Sequence, residues 1–376
     1  MRFLHLSDLH IGRRMNGFSL LEDQAAMLEQ ALLLAKQADA VLLAGDLYDK
    51  AQPSAEAIRM MSGFLVRLSR LGKPVFAISG NHDSPEQVAY CRELLGECGV
   101  WMSQTFDGSL SAHVLRDEWG EVRVWLMPFI RPAGVKPYFP QVKTYEDAIR
   151  AALSTAQRDA SARHVLVAHQ YVSGAEVCES EMRLIGGLDQ VSLGAFDGFD
   201  YVALGHLHSP QQMAQGRVCY AGSPLKYSLS EEKQRKSALM VTLGSKGQLS
   251  VEKHPFQPLH DVRTVTGRLK EVAAPEQYSE DYVYAVLTDE EVLLDPLGAL
   301  RMTYPRLLGM RICNSRSNEE SAEVENTDAE NVTPLEHFER FYALQNRDTQ
   351  PDEERMQVMR QIIEKAEEMR HAPDHP

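Results

Sequence analysis

The sequence predicts an α/β fold whose parallel strands carry polar residues at their carboxyl ends. Three observations predict it. Short apolar runs at Val41–Ala44, Pro74–Ile78, Val165–Ala168 and Tyr201–Leu204 have the length of buried strands. Each run gives way to a residue able to ligate a metal: Gly45-Asp46, Gly80-Asn81-His82, His169 and Gly205-His206-Leu207-His208. Amphipathic stretches at Leu20–Ala38 and Ser54–Arg70 alternate with the first strands. Open α/β sheets bind their ligands at the carboxyl ends of parallel strands, so the recurrence points to one composite site.

In chain order, Arg2–Leu6 reads as a short buried strand, with His5 a structural core histidine. Asp8 and His10 follow as a D-x-H pair; in an extended segment, residues two apart point the same way. After Asp49, Ser54 is a suitable N-cap for a helix running to Arg70. Asn81, His82 and Asp83 lie past the strand Pro74–Ile78. Val88–Cys98 predicts a short helix with Val88, Cys91, Leu94, Leu95 and Cys98 apolar, a pattern suited to core packing or to a dimer surface. Strands are expected at Ser111–Leu115 and Val122–Met127, and a helix at Tyr145–Arg158. Further strands at Arg217–Ala221, Ala238–Leu243 and Leu249–His254 suggest a second sheet packed on the first.

From about Val262 the pattern changes to a small α/β unit, with strands at Asp281–Leu287 and Leu308–Cys313 and a helix at Pro296–Thr303. Ser315–Asn331 holds six acids and, after Arg316, no Lys or Arg, which predicts a disordered linker. Beyond it, Leu335, Phe338, Phe341 and Leu344 form one helical stripe, and Met359, Ile362, Ile363, Ala366 and Met369 form another. Two amphipathic helices on a tether suit docking to a partner.

Net charge is −14, so any hold on nucleic acid must be local, metal-mediated or shared with a partner. The five cysteines are scattered and contain no C-x-x-C pair, which fits a reducing cytoplasm and argues against a cysteine zinc site. The amino terminus has no long apolar core of the signal-peptide kind, and no run approaches a membrane span.

Imidazole, carboxylate and carboxamide donors without thiolate suit Mn, Fe or Zn. Asp8, His10, Asp46, Asn81, His169, His206 and His208 are too many for one tetrahedral zinc. They suit two ions sharing a carboxylate, the arrangement that serves in-line phosphoryl displacement. His82 exceeds the ligand requirement and can act as general acid or charge stabiliser over the substrate. Asp49, three residues after Asp46, can orient the His82 ring. Arg13, Arg14 and Lys226 lie near the motif segments and are candidates for phosphate contact, with solvated surface charge the alternative.

The series D-x-H, GD-x-x-D, GNHD, a strand-end His and GHLH, in that order, resembles the calcineurin-like metallophosphoesterase family. The resemblance implies a two-sheet αββα sandwich. It also implies one ion held by Asp8, His10, Asp46 and His208, and another by Asp46, Asn81, His169 and His206. The passages HQYVSGAEVCESE, DYVALGHLHSPQ and YAGSPLKYSLSE are similar to its bacterial nuclease branch. That similarity implies a metallophosphoesterase (nuclease) domain at 1–258, a DNA-capping domain at 259–315, an acidic linker at 316–333 and a helical tail at 334–376. The tail would dock on the coiled-coil base of an SbcC-like ATPase. It further implies two divalent ions, foremost Mn2+, with Mg2+, Fe2+ or Zn2+ as alternatives. The expected assembly is a heterotetramer built on a homodimer of this chain through Ser54–Arg70 and Val88–Cys98. The expected activity is ATP-dependent 3′–5′ exonuclease on duplex DNA and endonuclease on single strands and hairpins, in DNA repair, replication and recombination. The expected location is the cytoplasm, at the nucleoid. Archaeal and eukaryotic relatives often carry His where this chain has Asp49. A small-molecule phosphodiesterase or a protein phosphatase on the same scaffold is the alternative activity.

Overall fold

The structure is a computed structural model that describes residues 1–176, 190–314, 338, 342, 351–353 and 355–360. Two compact units are present, Met1–Ile312 and Cys313–Pro376. The expected linker at 316–333 lies outside the described residues, as does nearly all of the expected tail at 334–376.

The first unit is built on two six-stranded sheets. In spatial order the first runs Leu249–Pro255, Ser237–Leu243, Arg2–Leu6, Ala40–Ala44, Val75–Ile78 and Val100–Met102. The last four are mutually parallel, and Ser237–Leu243 is antiparallel to Arg2–Leu6. The second sheet runs Gln211–Met213, Val218–Tyr220, Tyr201–Gly205, Arg163–His169, Gly120–Leu126 and Ala112–Asp117, again parallel in its four middle strands with antiparallel edges.

Strand alternation shows how the layers stack. Phe3, Ala40, Leu42, Ala44, Phe76 and Ile78 pack between the sheets against Val122, Val124, Val165, Val167, Tyr201 and Ala203. Their alternates Leu4, Leu6, Val41, Leu43, Val75 and Ala77 pack with the helices Leu21–Ala35 and Ala55–Ser69. Those helices present Met27, Leu28, Ala31 and Leu32, and Ala57, Met61, Phe64 and Leu68, at three- and four-residue spacing. On the outer face of the second sheet, the helix Tyr145–Ser154 buries Ala148, Ile149, Ala152 and Leu153. The layers are therefore α, β, β, α. Strands buried on both faces explain the near-continuous apolar runs in the sequence.

His5 belongs to the layer between the sheets. Its Nδ1 lies 2.9 Å from the Tyr201 hydroxyl and its Nε2 3.2 Å from the Leu204 carbonyl, both in the opposite sheet. Burial pushes its pKa down to about 3, so a neutral ring bridges the sandwich as the structural residue expected.

A separate parallel sheet of Val262–Gly267, Tyr282–Leu287 and Leu307–Ile312 packs with the helix Pro296–Thr303 around Val283, Ala285, Leu287, Leu300 and Tyr304. It is tied to the sandwich by Tyr282, whose hydroxyl donates to Asp23 at 2.9 Å. The amide of Asn16 also donates to the Leu308 carbonyl at 2.7 Å.

Five elements differ from the sequence expectation. The strands Ser237–Leu243 and Leu249–Pro255 join the first sheet rather than the second, because Arg2–Leu6 otherwise leaves an apolar edge unpaired. The helix expected at Val88–Cys98 is two short helices, Pro85–Val88 and Arg92–Glu97, divided at Cys91 with φ 57°. Its apolar face is not core: Val88 is buried, but Leu94 is 67% exposed and Cys91 and Cys98 are exposed. The edge strand Val100–Met102 and the strand Val262–Gly267, the latter rich in Val and Thr, lie outside the expected strands. Among the described residues no helix is long and apolar enough to cross a membrane.

Candidate metal centre

The parallel strands of both sheets deliver their carboxyl ends to one edge of the sandwich. Asp8 and His10 follow Arg2–Leu6, Asp46 follows Ala40–Ala44, and Asn81 and His82 follow Val75–Ile78. From the second sheet, His169 closes Arg163–His169, while His206 and His208 follow Tyr201–Gly205. The loops are stitched together by Asp8 N–H to Gly45 O at 3.1 Å, His10 N–H to Asp46 O at 2.9 Å and Ile11 N–H to Leu47 O at 3.0 Å.

The D-x-H segment is not extended. Asp8, His10, Asp46 and His206 all have positive φ, of 52°, 43°, 48° and 105°. Left-handed turns at four non-glycine residues cost backbone energy and persist only where the surroundings over-determine them. Here they turn each side chain back toward the strand ends. Close approach explains the adjacent glycines: a Cβ on Gly80 would overlap Asp46 Oδ1, and one on Gly45 would overlap His169 Nδ1.

The side chains form two abutting groups. In the first, Asp8, His10 and His208 offer ligand atoms within 4.8 Å of one another. The Nε2 atoms of His10 and His208 are only 3.2 Å apart. In the second, Asn81 Oδ1 lies 2.9 Å from His169 Nε2 and 2.8 Å from His206 Nδ1. Asp46 stands between them, its Oδ2 being 3.6 Å from His10 Nε2 and 3.4 Å from His169 Nε2.

These contacts are of a kind that a cation resolves. The Ala44 carbonyl can only accept, so His169 Nδ1 donates to it at 2.8 Å, and Nε2 turns toward the Asn81 oxygen and the Asp46 carboxylate. In a neutral ring that places a lone pair against two acceptors. The Glu231 carboxylate likewise takes the Nδ1 proton of His208 at 3.0 Å, turning its Nε2 toward His10. Asp8 Oδ2 is buried with no hydrogen-bond partner among the described residues. A buried polar atom without a partner is costly, and a bound ion would satisfy it. The donor set fits divalent metal.

The local electrostatics agree. Burial opposes charge on His169, yet Asp46 and Asp8 raise its pKa to about 9, so a proton on this ring stands where a metal cation would. Burial also works against the Asp46 carboxylate, but His169, His10 and His82 hold it well below the usual range. Burial, reinforced by His169, pushes His206 down to about 3, leaving it a neutral donor of a lone pair. Burial raises Asp8 to about 6 against the opposing pull of His169 and His208.

His82 is placed at the rim, its backbone N–H donating to Asp46 Oδ1 at 2.9 Å and its ring edge-on to His10. The expected link to Asp49 takes a different form. His82 Nδ1 is 3.0 Å from the Asp49 backbone carbonyl, while the Asp49 carboxylate pairs with Arg13 at 2.8 Å and lies 3.8 Å from His10 Nδ1. The physical reason is charge: the Arg13 guanidinium, seated over the Tyr227 ring, takes the carboxylate. Arg13 is thereby partly committed, and Lys226 is paired with Asp261 at 2.8 Å. Arg14 is exposed and bonded to the Gly17 carbonyl.

Three supporting residues escape a reading of the sequence for ligands. Glu231, fully buried, holds His208 and is itself held by Lys236 Nζ at 2.6 Å. Gln24 accepts from Gly12 N–H at 2.9 Å and donates to the His10 carbonyl at 2.8 Å, fixing the first loop. Asp83 accepts from the N–H groups of Leu47, Tyr48 and Gly80 at 2.9–3.0 Å, stapling the second loop to the third. Only Asp83 has a signal, as the last letter of GNHD.

A family model described as calcineurin-like phosphoesterase matches residues 1–210, more than half of the chain. The chain belongs to that family, whose members bind divalent metals and hydrolyse phosphoesters. A second model, described as a type 5 capsule protein repressor C-terminal domain, matches residues 255–346. The two domains in this order match the architecture of SbcD-like nucleases. Among solved structures, the crystal structure of TT1561 of Thermus thermophilus is 18% identical. The match covers 67% of this chain and 98% of that one, with a TM-score of 0.37.

Proposed function

We propose that this chain is a dinuclear-metal nuclease that cleaves DNA phosphodiester bonds together with a coiled-coil ATPase of the SbcC type. The observation that carries the reading is Asp46, set between two groups of ligand atoms whose acceptors face one another. Asp8, His10, Asp46 and His208 would hold one ion, and Asp46, Asn81, His169 and His206 the other, with Mn2+ the foremost candidate. The ions would supply an activated water and stabilise the charge that develops on the phosphate.

The chain's own residues supply the rest. His82 donates Nδ1–H to the Asp49 carbonyl, which leaves Nε2 to carry a proton toward the leaving oxygen or to sit against phosphate charge. Arg13, at the mouth beside Asp49, keeps that loop in place. Glu231 keeps the His208 tautomer. With a net charge of −14, the DNA grip is shared with the ATPase, which binds the segment 334–376. The domain limits 1–258, 259–315 and 316–333 belong to the same proposal, as does activity at the nucleoid.

A homodimer is part of the reading. Ile58, Val66 and Tyr90 are exposed around a groove of about 500 Å3 floored by Met61, Leu65 and Leu95, and the exposed Leu94 lies next to Leu95 in the chain. A contiguous exposed apolar surface marks an interaction site.

The test is Mn2+-dependent cleavage of a 5′-labelled hairpin DNA by wild type, His82→Ala and a chain ending at residue 315, each with and without the ATPase. Expected are cutting by wild type, metal binding without cutting by His82→Ala, and stimulation by ATPase plus ATP of the full chain only. Cleavage of a simple aryl phosphodiester but of no DNA would move the reading to a small-molecule phosphodiesterase.

A further inference from the structure

We infer that a cleft beside the candidate metal centre seats the nucleobase next to the scissile phosphate, with Phe129 as its aromatic wall; this rests on the phosphodiesterase reading above. The cleft has a volume of about 320 Å3, at the small end of ligand sites and roomy for one base. Its wall includes Gly80 and Asn81 at the metal centre, together with Phe129, Ile130, Arg131 and the exposed Ala133. Its inner end is thus the metal centre itself.

Phe129 is fixed from both directions. Its ring lies nearly parallel to His206, at 13° with centroids 6.4 Å apart, and edge-on to His169 at 6.2 Å. Its backbone N–H donates to the Ser79 carbonyl at 2.9 Å, which ties this loop to the strand end that leads into Asn81. A ring clamped in this way loses little entropy when a second ring stacks on it. Arg131 extends over the same ring, its guanidinium carbon 5.5 Å from the centroid, and forms no ion pair among the described residues. A partly exposed aromatic with a guanidinium that can swing off its ring toward phosphate is the pairing that holds a base and the backbone beside it. Thr105 and Arg131 are the polar side chains of the wall outside the candidate ligands and their loop, and stacking on the ring is the part of the hold common to all four bases.

The contrast that tests this is thymidine 5′-(p-nitrophenyl phosphate) against methyl p-nitrophenyl phosphate. Both have the same leaving group and differ only in nucleoside against methyl. Wild type should favour the nucleoside ester in kcat/KM by roughly tenfold or more. Phe129→Leu, and Ala133→Trp, which fills the cleft from its outer end, should each bring the ratio toward one. Taking the ratio cancels any damage to the metal site that both substrates share. A parallel calorimetric titration needs no turnover: thymidine 5′-phosphate should bind wild type roughly tenfold tighter than 2-deoxyribose 5-phosphate, and the two equally in Ala133→Trp. A wild-type ratio near one, or a high ratio surviving both substitutions, overturns the cleft while leaving phosphodiesterase activity standing. Cleavage of neither ester overturns the parent reading, and the titration alone then decides the cleft.

Discussion

Glu231→Gln separates the stability of this fold from the quality of its metal site. The carboxylate is fully buried: Oε1 accepts from His208 Nδ1–H at 3.0 Å and the Ser228 hydroxyl at 3.4 Å, and Oε2 from Lys236 Nζ at 2.6 Å, the Tyr227 N–H at 3.2 Å and the Ser223 hydroxyl at 3.4 Å. A glutamine amide has one acceptor face and one donor face. Whichever way it turns, NH2 opposes either the ammonium or the imidazole N–H. Lys236 would keep Ser223 Oγ at 2.8 Å and the His208 carbonyl at 2.9 Å as neutral acceptors, and would lose the Glu231 countercharge. Removing one member of a buried ion pair costs about 3–5 kcal/mol, and the surviving neutral acceptors place this case near about 3 kcal/mol. Loss of the carboxylate behind a metal-ligating histidine weakens metal binding by about 10–100-fold. Urea unfolding of the metal-free chain reads the first quantity and chelator competition for Mn2+ reads the second. Glu231→Gln combined with Lys236→Met should recover most of the stability and little of the affinity. A single variant as stable as wild type and binding metal within about twofold of it would refute the reasoning, since the magnitudes above leave no room for either.

Other perturbations have equally definite outcomes. Gly80→Ala should keep the circular dichroism of the fold and lose metal affinity by at least about tenfold, because its Cβ would overlap Asp46 Oδ1 and the Asp46 backbone nitrogen. His5 binds its proton near pH 6.5 when unfolded and near about 3 when folded. The unfolded state therefore takes up the proton first, and stability falls on acidification from about 6.5 toward 3, by up to about 1.4 kcal/mol per pH unit. His5→Gln should flatten that slope in urea titrations between pH 6 and 4, whatever it costs at neutrality. The Glu231 carboxyl has the opposite history: burial works against its charge, but His208 and Lys236 hold it below the usual range. Its contribution is present above the unfolded carboxyl pKa and disappears only as the pH falls through the lowered one. Leu94→Glu should shift sedimentation toward monomer while leaving the circular dichroism of the fold unchanged, because a side chain 67% exposed contributes little to the fold of its own chain.

The candidate site is largely legible because parallel strands end in contiguous short motifs. Asp8, Asp46, Asn81, His169 and His206 each stand close to the end of an apolar run, so strand and donor are read together. What holds the donors is less legible. Glu231 lies 23 residues beyond His208, on a segment whose spacing carries no period, and Gln24 sits on a helix where a glutamine is unremarkable. The D-x-H pair reads as extended because nothing in the letters marks left-handed backbone at Asp8 and His10; the constraint comes from the neighbouring loop at Gly45–Leu47. The break at Cys91 is hidden for the same reason, since a cysteine does not announce a positive φ. Sheet membership is the third limit. Ser237–Leu243 has the pattern of any buried strand, and only the open edge of Arg2–Leu6 decides where it goes.

That last pairing has a consequence for how the molecule comes into being. Arg2–Leu6, made early, has its outer edge closed by Ser237–Leu243, made more than two hundred residues later. Through synthesis of the intervening chain, an apolar strand edge stands open, a template for pairing with other chains. Closing so distant a contact is slow as well. The brace of Glu231 and Lys236 on His208 emerges in the same final stretch. A nascent chain that has all seven candidate ligands, but has not yet reached residue 231, therefore lacks both the closing strand and the support of its last histidine. The metal site is fully supported only once the last strands of the first sheet have been made.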